Sequence, residues 1–197
     1  MKKSILLFVL ICFGITGFAQ PNVAQSKTSQ AVVDRFAAVQ TLQSSFVQEK
    51  HLALLNSPII STGQFAFSKN PAQIRWEYMT PLQNGFLLTD GKTYRLEKGA
   101  KKLVNSALSK NIAVQMMTWL TFDLPELSKT YEVSFFDGGV ELAPKEKTVG
   151  LEKITAWFSV ENPQALSRIR LDEPGGDYTL LRFENTQINI SLAKELF

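Results

Sequence analysis

Cysteine and histidine are almost missing: Cys12 and His51 are the only ones among 197 residues. One cysteine forms no internal disulfide. A zinc site draws on several His or Cys ligands, and a lone histidine would need clustered carboxylates that this sequence does not offer. No G-x-S-x-G elbow occurs, so nothing prepares a serine nucleophile for His51. His51 reads instead as a surface residue in a strand, beside Glu49 and Lys50. Charge of one sign is lacking as well. The net charge of +3 gives no reason to expect nucleic acid as a partner. The glycine pairs 138–139 and 175–176 fall at hairpin tips rather than between a strand and a helix, so they are turns, not phosphate loops. These absences leave few groups for catalysis. The chain reads as a binding protein, not an enzyme, with no cofactor and no metal.

The N-terminus bears on compartment. Lys2 and Lys3 precede an apolar run from Ile5 to Phe13, and Gly17-Phe18-Ala19 places small residues where a signal peptidase cuts. The run is shorter than the about 20 residues of a membrane span. Residues 1–19 are therefore expected to be a cleaved signal peptide, with Gln20 as the new terminus. Ile11 precedes Cys12 and the sequence stays apolar beyond it, so Cys12 belongs to the signal and is not a lipidation site. Removing 19 of 197 residues leaves 178, and losing Lys2 and Lys3 lowers the charge from +3 to +1. Residues 20–197 suffice for one domain with a substantial core. Of 14 phenylalanines, only Phe8, Phe13 and Phe18 leave with the signal, and all three tryptophans stay.

Periodicity supplies the elements. Residues 20–28 are polar, and Ser29 fits the cap of a helix carrying Val32, Phe36 and Val39. From about residue 44 the period is two. Strands are expected near 44–55, 59–69, 72–79, 84–89, 92–97 and 101–105, then 131–136, 140–143, 151–160, 166–172 and 178–190. Asp90-Gly91 between Thr89 and Lys92 signals a two-residue type I′ hairpin. Residues 106–129 break the pattern: Ile112, Met116, Trp119 and Leu120 recur at helical spacing, and Asp123 with Pro125 fits the start of a second helix. By spacing alone the 112–120 stripe is an ordinary core helix. A Met- and Trp-rich helix can also cover an open sheet loosely.

The stretch Gly63–Pro81 says most. Phe65 and Phe67 alternate with Gln64 and Ser68; after Asn70-Pro71, Ile74, Trp76 and Tyr78 alternate with Arg75 and Glu77. Two neighbouring strands thus present aromatics on one side. That predicts a roomy apolar interior.

These residues resemble the LolA family of periplasmic outer-membrane lipoprotein carriers. Leu42–Gln48 is similar to the family's opening strand, Gly63–Pro71 to its Gly-x-Phe-x-x-x-Lys-x-Pro hairpin, Arg75–Tyr78 with Pro81 to the next strand, and Leu88–Thr93 to the following hairpin. The end, with Phe183, Asn185, Asn189 and Phe197, is more loosely similar. The resemblance implies a mainly β protein with α elements: a half-open antiparallel β-barrel of about 10–11 strands, an N-terminal helix, and a helical lid over a hydrophobic cavity. It implies a cavity lined by Phe46, Phe65, Phe67, Ile74, Trp76, Tyr78, Phe86 and Leu88, and a lid carrying Ile112, Met116, Met117, Trp119 and Leu120. It further implies a soluble periplasmic monomer that shields lipoprotein acyl chains. An inner-membrane ABC-type release complex would load it and an outer-membrane acceptor would unload it. The same scaffold could carry another amphiphile, such as a glycolipid or lipid-linked pigment, or serve as a peptide-binding or sensor domain. Asn70 stands where the best-studied members carry the arginine that holds the lid.

Overall fold

The computed structural model describes residues 23–104, 123–146 and 150–197. The expected signal peptide with Cys12, and the expected lid residues Ile112, Met116, Met117, Trp119 and Leu120, lie outside these residues.

Helix α1 (Val23–Ala37) is followed by β1 (Thr41–His51), β2 (Ile59–Ser68), β3 (Gln73–Thr80), β4 (Asn84–Thr89), β5 (Lys92–Glu97) and β6 (Ala100–Val104). A short helix, α2 (Leu124–Thr130), then leads into β7 (Tyr131–Phe136), β8 (Gly139–Pro144), β9 (Lys153–Phe158), β10 (Leu166–Asp172) and β11 (Tyr178–Ile188). All eleven strands join one antiparallel sheet in the order β6-β5-β4-β3-β2-β1-β11-β10-β9-β8-β7. Two meanders therefore meet where β1 pairs with β11, with Phe46 opposite Phe183 and His51 opposite Tyr178. β6 and β7, consecutive among the described strands, end the order at opposite edges.

Local chemistry explains the joints. Asp90 and Gly91 both adopt positive φ, 51° and 66°, as a type I′ turn requires, and Thr89 pairs with Lys92 across them. Lys98-Gly99 repeats this at φ 50° and 81°. Asp123 caps α2 by accepting a hydrogen bond from the Glu126 amide at 3.1 Å, and Pro125 occupies the first turn.

Two elements differ most from expectation. Helix α1 begins at Val23, so Ser29 lies within it and is not its cap; Ala, Gln and Lys extend a helix well without an apolar stripe. Strand β1 runs from Thr41 to His51 rather than 44–55, because its partners run out there: Thr41 pairs with Ser68 and His51 with Tyr178.

The two faces of the sheet have different covers. On the face that carries α1, called inner below, Val32 and Phe36 of α1 are buried among Tyr131, Val140, Leu142, Ile154 and Ala156 of β7–β9, together with Leu127 of α2. The outer face of β3–β6 is met by the C-terminal residues. Arg75 donates from Nη1 to the Leu196 carbonyl at 3.0 Å, and Lys101 donates from Nζ to the Phe197 carbonyl at 2.8 Å. Between these two strands, outer-face Leu87 and Leu96 are fully buried. Arg75 also donates from Nε to Glu77 Oε2 at 2.9 Å. Arg75 thus sits on the polar face, as its alternation with Trp76 requires.

Asn189 secures the start of this tail. At φ 55° its side chain accepts from the Gln40 amide at 2.7 Å and donates to the Ala38 carbonyl at 3.2 Å. Asparagine tolerates that left-handed backbone better than most residues. Asn189→Ala loses both bonds and is expected to cost about 2 kcal/mol in urea unfolding; a cost near zero would mean that the junction between α1 and β1 is held elsewhere.

Candidate functional site: the apolar inner face

Cross-strand register brings together the residues that alternation alone placed on one side. Phe65 lies opposite Trp76 and Phe67 opposite Ile74. Trp76 lies opposite Phe86 and Ile74 opposite Leu88. Phe46 lies opposite Gly63, which in turn lies opposite Tyr78. All eight residues expected to line a cavity therefore share the inner face of β1–β4, and all belong to one hydrophobic cluster. Five are buried there; Tyr78, Phe86 and Leu88 are only partly covered.

The rings contact one another specifically. Phe46 stacks on Trp76 at 4.3 Å and 27°, and meets Tyr78 edge-on at 5.3 Å. Trp76 also touches Phe65 at 5.5 Å and Phe183 at 6.4 Å. Offset and edge-on pairs of this kind add about 1 kcal/mol each beyond area burial. Burial pushes the Tyr78 phenol above its ordinary pKa, and the hydroxyl donates to Gln48 Oε1 at 2.8 Å. The layer is thus uncharged apart from its margins.

Gly63 makes this packing possible. The Phe46 ring passes over it, so a Cβ there would lie 2.3 Å from Phe46 Cζ and 2.3 Å from the Glu77 carbonyl oxygen. Lys69, in the same hairpin, donates from Nζ to the Ala37 carbonyl at 3.2 Å. That bond satisfies a carbonyl at the end of α1 and fixes the helix against the hairpin. Asn70 is exposed at the turn and has no such reach.

The seam between the α1-covered half and the aromatic half contains a void of about 20 Å³, lined by Phe36, Val39, Leu42, Phe65, Gln164, Leu166, Phe183 and Thr186. That is space for about one water molecule. Sequence reasoning did not place Val39, Leu42, Ile169, Leu181, Phe183 and Ile188 in this cluster. Their signal was present in β11, where Leu181 and Phe183 alternate with Arg182, but nothing local says that β11 pairs with β1.

His51 lies at the end of β1 on the outer face. Its ring stacks on Tyr178 at 4.2 Å and 13°, and Nε2 is 3.2 Å from Glu49 Oε2. Glu49 also accepts from Arg182. Chiefly the His51 hydrogen bond, opposed by burial and aided by Arg182, holds the Glu49 carboxyl below its ordinary value of 4.5. A carboxyl with a depressed folded pKa stabilises the fold above its unfolded pKa, and that contribution fades as pH falls through the folded value. Glu49→Gln is therefore expected to be less stable than the parent at pH 7 and equal to it in acid. Thermal midpoints measured down to about pH 3 check this; parallel curves would assign Glu49 no such role. Among the described residues, no group of three His, Cys, Asp or Glu side chains could hold a metal ion. No described helix is long and apolar enough to cross a membrane.

The family described as "Outer membrane lipoprotein carrier protein LolA" matches residues 37–197, from the end of α1 through every strand to the C-terminus. The chain belongs to the LolA family. No curated protein matches the sequence. Solved structures share the fold at low identity. An uncharacterised conserved protein from Thermus thermophilus is 10% identical with a TM-score of 0.54, over 86% of this chain and 92% of that one. The complex of MucA and MucB from Pseudomonas aeruginosa matches at 13% identity and a TM-score of 0.53, over 88% of this chain and 60% of the other. The Mycobacterium tuberculosis lipoprotein LppX matches at 11% identity and a TM-score of 0.50, over 88% and 99%. In this LolA-family chain the motif residues Gly63 and Lys69 have physical roles: the first admits the Phe46 ring, the second anchors α1.

Proposed function

We propose that this chain is a periplasmic carrier that shields the acyl chains of lipoproteins between the inner and outer membranes. The observation that carries the reading is the aromatic layer on the inner face of β1–β4, in an open sheet of a LolA-family chain. Each buried methylene is worth about 0.8 kcal/mol, so an acylated protein needs an apolar seat to cross water. The partly covered Tyr78, Phe86 and Leu88 form the accessible side of that seat. The signal peptide, residues 1–19, takes the chain to the periplasm as a soluble single-domain monomer. An inner-membrane ABC-type release complex loads it, an outer-membrane acceptor unloads it, and residues 106–129 with Met116 and Trp119 serve as the lid.

A triacylated lipopeptide tests the reading. Mixed with the protein and passed through gel filtration without detergent, it is expected to elute with the protein at one to one. Elution of lipid-free protein would contradict the proposal. A second reading, a protein-binding module, takes its support from MucB, which shares the fold and was solved with MucA. It predicts that a delipidated cargo protein is retained as well as the lipidated one.

A further inference from the structure

We infer that the inner face contains a seat for an anionic headgroup, so that besides lipoprotein acyl chains it takes a lipid bearing a negatively charged phosphate ester; this rests on the acyl-binding reading above. The register supplies the argument. One inner-face row runs straight across five strands: Phe65, Trp76, Phe86, Arg95, Lys102. The first three are aromatic and the last two are cationic. The row on one side carries no charge out to the edge, with Leu88 opposite Thr93 and Thr93 opposite Val104. The row on the other turns polar, with Tyr78 opposite Asn84 and Asn84 opposite Glu97.

Arg95 and Lys102 are directly opposed, a like-charge pair that weakens a sheet unless a counter-charge sits between them. Glu97 takes the Nε of Arg95 at 2.8 Å, which leaves the outer fork of the guanidinium for another acceptor. No salt bridge joins Lys102 to a described acidic side chain, and the trio carries one net positive charge. A phosphate ester suits this geometry, because arginine's fork and lysine's point charge both serve as phosphate donors. The spacing agrees. From Phe65 to Arg95 is three strand spacings, about 14 Å along the sheet. One leaflet of a bilayer holds its acyl chains in about half of a 30 Å hydrocarbon core. A lipid with its chains along Phe65–Trp76–Phe86 would therefore place its headgroup at Arg95 and Lys102.

Vesicles loaded with sucrose and containing traces of radiolabelled phosphatidylglycerol, phosphatidylcholine or diolein test this. The vesicles are incubated with the protein and sedimented, and the label left with the protein is counted. The expected result is about tenfold more phosphatidylglycerol than phosphatidylcholine, a preference that shrinks as salt is raised. Lys102→Glu is expected to abolish the preference while leaving diolein uptake unchanged. That variant places opposite charges across the strands and so does not weaken the sheet. Equal uptake of both phospholipids by the parent overturns the headgroup seat alone. A preference that survives Lys102→Glu does the same, and leaves Lys102 as a residue that guards a sheet edge. If none of the three lipids leaves the vesicles with a protein that retains the triacylated lipopeptide, the headgroup seat falls alone; if the lipopeptide is lost too, the acyl-binding reading falls with it.

Discussion

Gly63→Ala is expected to cost about 3 kcal/mol and lower the thermal midpoint by about 9 °C, from a single added methyl group. Two contacts decide this. The new Cβ would lie 2.3 Å from the Phe46 ring and 2.3 Å from the Glu77 carbonyl oxygen. The ring could shift, at the expense of its stack on Trp76. The carbonyl cannot shift without disturbing the β2–β3 ladder, in which Gly63 already sits beside a register shift. Enlarging the space by also substituting Phe46 therefore does not restore stability. Calorimetry of both variants checks the claim; a Gly63→Ala protein within about 1 kcal/mol of the parent would mean that this strand pair is looser than described.

The second large effect concerns binding. Trp76→Glu is expected to reduce lipopeptide retention at least about a hundredfold, because an unpaired carboxylate in an apolar layer repels acyl chains. Trp76 lies among Phe46, Phe65, Tyr78 and Phe183, so the variant also loses stability. Phe86→Glu separates the two effects. Phe86 is only partly buried, and its carboxylate would lie opposite Arg95, so the fold is expected to persist while retention drops about tenfold. If both variants keep their cargo while Trp76→Glu merely melts earlier, Trp76 is ordinary core and the seat lies elsewhere.

Much of this layer was legible in the sequence because its signals are local. Strict alternation in 64–68 and 74–78 put Phe65, Phe67, Ile74, Trp76 and Tyr78 on one side, and the register keeps them there. Asp90-Gly91 located a hairpin because its two residues tolerate positive φ. What stayed hidden is non-local. The pairing of β1 with β11 spans most of the chain and leaves no trace in either strand. It sets the ends of β1 and brings Phe183 against Trp76. The tail was hidden for the same reason. Arg75 and Glu77 read only as the polar side of β3, yet Glu77 is 7% exposed, and Arg75 reaches the Leu196 carbonyl.

The central claim is that acyl chains lie on the inner face of β1–β4. A lipopeptide with a photoactivatable group in one acyl chain tests it directly, with crosslinks mapped by mass spectrometry of the full-length protein. The account predicts crosslinks to Phe65, Trp76, Tyr78 and Phe86, which share that face. Crosslinks confined to outer-face residues such as Arg75, Leu87 and Tyr94 would contradict it.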